Sequence, residues 1–200
     1  MILRPYQHAT VDRALTALNR YGNTLAVAPT GAGKTIILST VADRLPGKQC
    51  ILQHRDELVE QNLRKFRTMN PKRSVGLYTA DVKNWRGDTT FAMSQTLARN
   101  LPSIPKLDAL IIDEAHHAAA VSYRNIVDAV KDRNPECKIF GVTATPARGD
   151  GKGLRAVFDN CCDQISLHSL ISMGFLVRPR TFICTLNGTN EKLAALRKTI

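Results

Sequence analysis

The sequence lacks any long apolar run, and this absence excludes an ordinary transmembrane helix. No stretch of its 200 residues approaches the roughly 18–20 consecutive apolar residues that a membrane span requires. The first ten residues, MILRPYQHAT, also lack the basic-then-apolar layout of a secretory signal. We therefore expect no membrane partner and a cytoplasmic location.

Signals for metal sites and disulfides are equally sparse. The five cysteines include no C-x-x-C spacing, and no H-E-x-x-H pattern surrounds His116 and His117. The adjacent Cys161 and Cys162 could be a redox pair or half of a metal site. Small buried hydrophobic residues are the simpler interpretation, so the pattern does not favour a zinc enzyme or a disulfide-stapled scaffold.

Acidic residues are outnumbered, and the net charge is +11. A polyanionic partner such as nucleic acid is the natural functional interpretation of such an excess. Part of the excess is concentrated in one run, which either guides nucleic acid or forms a solvated basic face. The run consists of Arg64, Lys65, Arg67, Lys72 and Arg73.

Short apolar runs alternate with amphipathic stretches along the chain. Nearly all-apolar runs are typical of parallel strands that are buried on both faces. The alternation predicts an α/β fold, a mostly parallel sheet with helices on both faces, formed by residues 1–186 and followed by a linker at 187–200. The predicted strands are Thr24–Ala28, Cys50–Gln53, Val75–Tyr78, Thr90–Met93, Ala109–Ile112, Lys138–Val142, Gln164–Leu167 and Thr181–Leu186.

A glycine-rich turn joins the first predicted strand to a helix. Its sequence, APTGAGKT at 28–35, suits a phosphate-binding loop, in which backbone N–H groups and a helix N-terminus face an anion. Lys34 would reach the β and γ phosphates of a nucleotide, and Thr35 would ligate Mg²⁺. The remaining cradle residues would be Thr30, Gly31, Ala32 and Gly33.

A second polar segment follows a buried strand, in LDALIIDEAHH at 107–117. Carboxylates at the carboxyl end of such a strand lie where α/β sheets bind their ligands. Asp113 would hold Mg²⁺. Glu114 would orient and deprotonate the attacking water.

Together these segments resemble the Walker A loop and DEAH box of superfamily 2 DEAD/DEAH-type helicases and translocases. The resemblance runs through almost the whole chain in the family's order. GVTATPAR at 141–148 and GFLVRP at 174–179 are most similar to the XPB and RadD-like branch, which is related to restriction-enzyme motor subunits. The resemblance implies an N-terminal RecA-like P-loop NTPase domain whose catalytic set is Glu114, Lys34, Asp113 and His116.

The resemblance also implies a nucleotide-base site in LRPYQ, residues 3–7. Gln7 would bond the adenine edge, and Arg4 would lie against the ring. The alternative is a helix-start segment with Tyr6 packed inward. Thr143 and Thr145 would join the ATP site to the strand-binding surface, with help from His116.

Two further segments resemble the family's nucleic-acid contacts. In LQHRDELVEQ at 52–61, Arg55 would touch the backbone with Gln61 nearby, unless the segment is simply an amphipathic helix with its polar residues outward. In FAMSQTLARN at 91–100, phosphate contacts would come from Ser94, Gln95 and Thr96. The alternative there is that Ser94 merely caps a helix.

The expected function is that of an ATP hydrolase, the ATP-binding half of a helicase or translocase that acts on nucleic acid, with DNA favoured over RNA. The family needs a second RecA-like domain, which supplies an arginine finger, and the 200 residues have no room for it. We therefore expect this chain alone to be weak or inactive. The alternatives are a translocase subunit that does not unwind and a non-catalytic module switched by ATP.

Overall fold

The computed structural model describes residues 3–54, 56–145 and 154–179, with the backbone alone for residues 56–58. Within them the chain forms eight strands and six α-helices. The strands are β1 (Asn23–Val27), β2 (Gln49–Gln53), β3 (Val75–Tyr78), β4 (Lys83–Asn84), β5 (Thr89–Met93), β6 (Ala109–Asp113), β7 (Lys138–Thr143) and β8 (Cys161–Gln164). The helices are α1 (Pro5–Tyr21), α2 (Lys34–Arg44), α3 (Asp56–Met69), α4 (Ser94–Ala98), α5 (Val121–Arg133) and α6 (Leu167–Ser172). Short 3₁₀ turns occur at Leu101–Ser103, Ala115–His117 and Leu154–Ala156.

The strands form one sheet in the order β4-β3-β5-β2-β6-β7-β1-β8. Every neighbouring pair is parallel except β3 with β4. Helices lie in the connections from β1 to β2, β2 to β3, β5 to β6 and β6 to β7, as the alternating sequence pattern predicts. Among the described residues, the connection from β3 to its parallel neighbour β5 runs through β4 and has no helix. This arrangement confirms the predicted α/β class and the mostly parallel sheet.

Successive residues of each central strand pack on opposite faces of the sheet, because side chains alternate along a strand. One face packs against α1, α2 and α3, and the other against α4 and α5, so helices cover both faces as predicted. The first core contains Val11, Ile37, Val59, Phe66, Ala26, Ile51, Phe91, Ile111 and Phe140. The second contains Leu97, Tyr123, Ile126, Val130, Leu25, Leu52, Leu110, Ile112 and Ile139.

Six of the eight predicted strands are confirmed, with ends that differ by at most one residue. The strand predicted at Gln164–Leu167 is wrong, since the structure has a strand at Cys161–Gln164 and a helix from Leu167. The Ser166 hydroxyl accepts a bond from the Ser169 N–H and caps that helix, which ends the strand early. Cys161 is exposed, so the buried-hydrophobe interpretation is wrong for that residue. Cys162 is half-buried and packs against the first core. The strand predicted at Thr181–Leu186 and the linker at 187–200 lie outside the described residues.

The parallel strands all end at the same side of the sheet, which we call the carboxyl edge. The loops that follow β1, β2, β5, β6 and β7 meet there. These strands are neighbours in the order β5-β2-β6-β7-β1, so residues far apart in sequence are brought side by side. Within the described residues, no helix has the length and apolar character that crossing a membrane requires.

Candidate nucleotide site at the carboxyl edge

The loop at 28–35 leaves β1 and turns directly into α2. The Ala28 N–H donates to the Thr143 carbonyl at 2.9 Å, which continues the β1–β7 pairing into the loop. Gly31 and Gly33 have φ angles of 85° and 80°, a left-handed conformation that glycine adopts without strain. Gly33 is the N-cap of α2, so the Lys34 and Thr35 N–H groups at the helix start have no carbonyl within the helix to bond, as at other helix N-termini that bind anions.

Lys34, the first residue of α2, lies next to the carboxylate that follows β6. Its Nζ is 3.5 Å from Glu114 Oε1. The other carboxylate oxygen of Glu114 is 3.3 Å from His116 Nδ1. The same His116 nitrogen is 3.1 Å from Thr143 Oγ1 at the end of β7. The loop, β6 and β7 are therefore joined by an unbroken series of side-chain contacts.

Thr143 extends this series into the next loop. Its hydroxyl donates to the Thr145 carbonyl at 3.2 Å, and it also lies 3.3 Å from the Thr145 N–H. Thr143 is fully buried, whereas Thr145 is exposed. The buried hydroxyl thus connects His116 to a residue at the surface.

A second polar cluster holds the two predicted magnesium ligands. Asn62 of α3 donates to Asp113 Oδ2 at 3.2 Å and to Gln53 Oε1 at 3.0 Å. The Thr35 hydroxyl donates to Asn62 Oδ1 at 3.3 Å. Asn62 therefore bridges Thr35 and Asp113, and brings a hydroxyl and a carboxylate to the same part of the site.

The environment of the two acids differs from that of surface carboxylates. Burial, and then the charge of Glu114, raise the pKa of Asp113, although the Glu114 N–H and Lys34 oppose this. Glu114 has a φ of 50°, the only positive value among the described non-glycine residues. Such backbone strain is stored where surrounding contacts hold it, and it often marks a functional position.

The LRPYQ segment begins α1, with Pro5 in the first turn as its fixed φ favours. The Tyr6 hydroxyl donates to the Ala32 carbonyl at 2.9 Å. Gln7 is buried, and its amide donates to the same carbonyl at 3.1 Å and accepts from the Arg4 N–H at 2.9 Å. Gln7 and Tyr6 thus fasten the start of α1 to the loop, while Arg4 stays exposed.

A cavity of about 340 Å³ lies at the carboxyl edge. The rings of His54 and His117 are stacked in its wall at 3.9 Å between centroids, and His117 lies 4.1 Å from His116. This ring series connects the end of β2 with the Glu114 cluster. The cavity is lined by Thr30, Gln53, His54, Asp113, Glu114, His116, His117, Ala144 and Thr145.

The predicted nucleic-acid contacts follow β2 and β5 and so lie on the same edge of the sheet. Gln61 on α3 and Gln95 on α4 are exposed, and Thr96 is half-buried. Ser94 is only 2% exposed, and it is the first residue of α4 rather than its cap. Arg55 lies outside the described residues.

Sequence reasoning missed Asn62, His54 and His117 as members of the site. Asn62 had a readable signal, since it lies three residues after Val59 and four before Phe66, on the buried face of α3. A polar residue in an apolar stripe requires a polar contact. The two histidines come together only through the β2–β6 pairing, which no local pattern reveals.

Comparison with known proteins places this geometry in a family. The profile of the family described as Type III restriction enzyme, res subunit, matches residues 1–148. The protein IRC3 of Saccharomyces cerevisiae, whose name describes an ATP-dependent helicase, is 33% identical over 177 residues. That alignment covers 79% of this chain but only 25% of IRC3, so this chain spans about a quarter of that relative.

Solved structures agree on the fold. The Hef helicase domain of Pyrococcus furiosus has a TM-score of 0.65 at 26% identity, over 77% of this chain and 35% of that one. The Type ISP restriction-modification enzyme LlaGI was solved in complex with a DNA substrate mimic. It has a TM-score of 0.67 at 16% identity, and the match covers 88% of this chain and 21% of LlaGI. The chain belongs to the Type III restriction enzyme res subunit family, and it has the RecA-like fold of the superfamily 2 helicases and translocases.

Proposed function

We propose that this chain is the ATP-binding and ATP-hydrolysing part of a motor that moves along nucleic acid, with DNA favoured over RNA. The observation that carries the proposal is the contact series from Lys34 through Glu114 and His116 to Thr143, at 3.5, 3.3 and 3.1 Å. Through these successive contacts, the phosphate-binding loop is connected to an acid and then to a surface loop. Such a series suits an enzyme whose hydrolysis is coupled to a second site.

The loop at 28–35 would bind the triphosphate. Its wide left-handed turns and the free N–H groups at the start of α2 suit a phosphate group. A Cβ on Gly33 would lie 2.5 Å from Gln7 Nε2, so the cradle has no room for a side chain at that point. The terminal phosphate would compete with Glu114 for the Lys34 ammonium.

Magnesium fits the residues that the site offers. Mg²⁺ prefers oxygen ligands and retains several waters, so one or two protein oxygens suffice. Thr35 and Asp113 offer a hydroxyl and a buried carboxylate, which Asn62 holds in one cluster. When bound, the ion would neutralise charge on the phosphates.

Glu114 would act as the general base. It would take a proton from a water molecule as the water oxygen bonds to the γ-phosphorus and the bond to the ADP oxygen breaks. Once the phosphate takes over Lys34, the His116 contact would still hold the carboxylate, which stands on a backbone with a φ of 50°. A fixed base contributes more than a mobile one, because no reorganisation is needed when the reaction occurs.

Coupling to nucleic acid would run through His116, Thr143 and Thr145. Gln61, Gln95 and Thr96 are surface groups at the carboxyl edge that could contact a phosphate backbone. Arg55 and Ser94 stay predictions, and Ser94 would have to become exposed to take part. Contacts of this type bind phosphates without reading sequence. The basic excess of the chain, whose net charge is +11, should make the binding weaken with salt.

A second candidate function is that of a translocase subunit in a restriction or repair complex, which moves along nucleic acid without unwinding it. The match to a restriction-enzyme subunit family over residues 1–148 favours it. A strand-displacement assay with and without a blocking duplex end separates the two outputs. A non-catalytic module switched by ATP would instead be unaffected by Glu114→Gln.

The test is the ATPase rate of this chain and of the full-length gene product, with and without single-stranded DNA or RNA. Arginine fingers from a second RecA-like domain typically contribute about 10³–10⁵ in rate, so we expect the chain alone to be slow. The full-length product should be stimulated by nucleic acid and silenced by Lys34→Ala. Hydrolysis that responds to neither polymer would contradict the proposal.

A further inference from the structure

The segment after α6 returns to the nucleotide loop. Gly174 turns the chain at a φ of 73°. The Phe175 and Leu176 N–H groups then both donate to the Leu170 carbonyl, at 2.8 and 3.1 Å. Leu170 is completely buried in the core, so this turn is firmly anchored and not a loose loop.

Phe175 packs against the start of α1. Its ring meets the Tyr6 ring edge-on at 5.1 Å between centroids. The Arg4 guanidinium carbon lies 5.3 Å from the centre of the same ring, within the range of a cation–π contact. An aromatic residue 171 positions away along the chain thus supports the residue predicted to lie against a nucleotide base.

Leu176 contacts the loop itself. A Cβ placed on Gly31 would lie 2.9 Å from Leu176 Cδ2. The two neighbours therefore have different targets, since Phe175 supports Arg4 and Tyr6 whereas Leu176 covers the phosphate loop. This difference makes them a matched pair for an experiment.

Arg4 needs such support if it is to stack on a base. It is exposed, and a free arginine side chain loses rotamer entropy when it is fixed. Its NH1 group is 3.3 Å from the Tyr6 hydroxyl, and the Phe175 ring adds a second contact. Together these contacts restrict the guanidinium before any nucleotide binds.

We infer that Phe175 is a positioning residue of the nucleotide-base site and holds Arg4 ready to stack on the base. The inference rests on the proposed function, because it assumes that the loop at 28–35 binds a nucleoside triphosphate. It implies that Phe175 contributes to recognition of the base but not of the phosphates. A merely structural role would affect both alike.

The test measures the affinity of the full-length protein for ATP and for inorganic tripolyphosphate, which has the phosphates but no base. Both are measured by displacement of a fluorescent ATP analogue labelled on the ribose. We expect Phe175→Ala to weaken ATP binding about 2- to 5-fold, the range of an exposed cation–π contact. Tripolyphosphate binding should be unchanged, kcat should stay within about twofold of the wild-type value, and Phe175→Tyr should restore ATP affinity.

Leu176→Ala is the matched control, and it should weaken ATP and tripolyphosphate by the same factor. If Phe175→Ala reduces expression of folded protein, Phe175→Leu, which keeps apolar volume but has no aromatic face for Arg4, should show the same selective loss of ATP affinity. Combining Phe175→Leu with Arg4→Ala should then be no worse than Arg4→Ala alone. Equal weakening of both ligands by Phe175→Ala, or no effect on ATP, overturns the inference. A wild-type protein that binds ATP but does not hydrolyse it would contradict only the proposed hydrolysis, and one that binds no ATP would overturn both.

Discussion

The two edges of the sheet each carry a polar cavity, and the larger one is not the candidate site. The cavity at the carboxyl edge measures about 340 Å³. The opposite, amino edge, where β2, β3 and β5 begin, has one of about 570 Å³. It is lined by Asp43, Gly47, Lys48, Lys72, Arg73, Arg86, Gly87 and Asp88, and its net charge is positive.

At the amino edge, charged side chains mainly satisfy the backbone. Arg73 donates to the Asp43 and Leu45 carbonyls at 2.9 and 2.5 Å, which closes the carboxyl end of α2 as cationic side chains commonly do. Asp88 accepts from both the N–H and the hydroxyl of Ser74. At least one member of the basic run at 64–73 is thus a structural residue.

At the carboxyl edge, side chains from different strands and helices meet one another instead. Lys34, Glu114, His116 and Thr143 come from three separate elements. The buried Asp113 there has a raised pKa, whereas the hydrogen bonds from Ser74 lower the pKa of the exposed Asp88. The candidate site therefore differs from the amino-edge cavity in its cross-element side-chain contacts and its desolvated acid, and not in being larger.

The largest expected difference between the edges is catalytic. Glu114→Gln removes the proposed base while keeping the size of the side chain, so ATP hydrolysis by the full-length protein should fall about 10²- to 10⁴-fold. ATP binding should persist, because the loop and Lys34 are unchanged. Steady-state ATPase assays and ligand displacement measure the two quantities separately.

Asp88→Asn is the matched control at the amino edge and should leave the hydrolysis rate within about twofold. If Glu114→Gln hydrolysed ATP at the wild-type rate, Glu114 would not be the general base. If Asp88→Asn were as damaging as Glu114→Gln, the functional distinction between the edges would be wrong.

A smaller difference should come from two glycines with nearly equal backbone angles. Gly33 has a φ of 80° and Gly47 a φ of 76°, so alanine at either position should cost about 1–2 kcal/mol of backbone strain. At Gly33 the strain and the clash with Gln7 would distort the phosphate-binding loop itself. ATP affinity should therefore drop about 5- to 30-fold. At Gly47 the new Cβ would clash with the Asp108 carboxylate, so Gly47→Ala should lower only the free energy of unfolding.

Urea unfolding and ATP displacement on both variants check this pair. Gly22→Ala provides a strain-only control, because Gly22 has a φ of 75° and no heavy atom lies within 4 Å of its would-be Cβ. The prediction fails if Gly47→Ala weakens ATP binding as much as Gly33→Ala does.

Much of the fold was predictable because its central strands are short, apolar and buried on both faces. Ile111 and Ile112 show why, since each packs on a different face and both must be hydrophobic. The edge strand β8 was misplaced because Cys161, Cys162 and Asp163 do not form an apolar run. β8 is the last strand of the sheet and pairs with a single strand, β1. Its residues are exposed or half-buried, so its sequence shows no clear alternation of apolar and polar residues.

The candidate site could be predicted where it depends on local chemistry and not where it depends on distant contacts. Lys34 and Asp113 stand in segments whose neighbours already specify a loop or a strand end. Phe175 meets Arg4 only because the β8–β1 pairing and α6 bring the chain back across the sheet. No window of local sequence contains that contact.

The smallest expected difference is in how the two acids make stability depend on pH. The pKa of Asp113 is raised, so its carboxylate form destabilises the folded protein. The contribution of Asp113 to the free energy of unfolding is therefore greatest below the ordinary aspartate pKa. It is lost as the pH rises through the raised pKa. The lowered pKa of Asp88 has the opposite sign. Its stabilisation is complete above the ordinary value and is lost as the pH falls through the lowered one.

Urea unfolding between about pH 3 and pH 6, in a buffer that chelates divalent cations, measures both effects around the ordinary aspartate pKa. Relative to wild type, Asp113→Asn should gain stability as the pH rises, because it removes a carboxylate that burial disfavours. Asp88→Asn should lose stability relative to wild type over the same rise, because it removes a carboxylate that Ser74 stabilises. If the free energies of unfolding of both variants diverged from wild type in the same direction as the pH rises, the two edges would not differ in whether they stabilise a carboxylate. The predicted electrostatic difference between the edges would then be wrong.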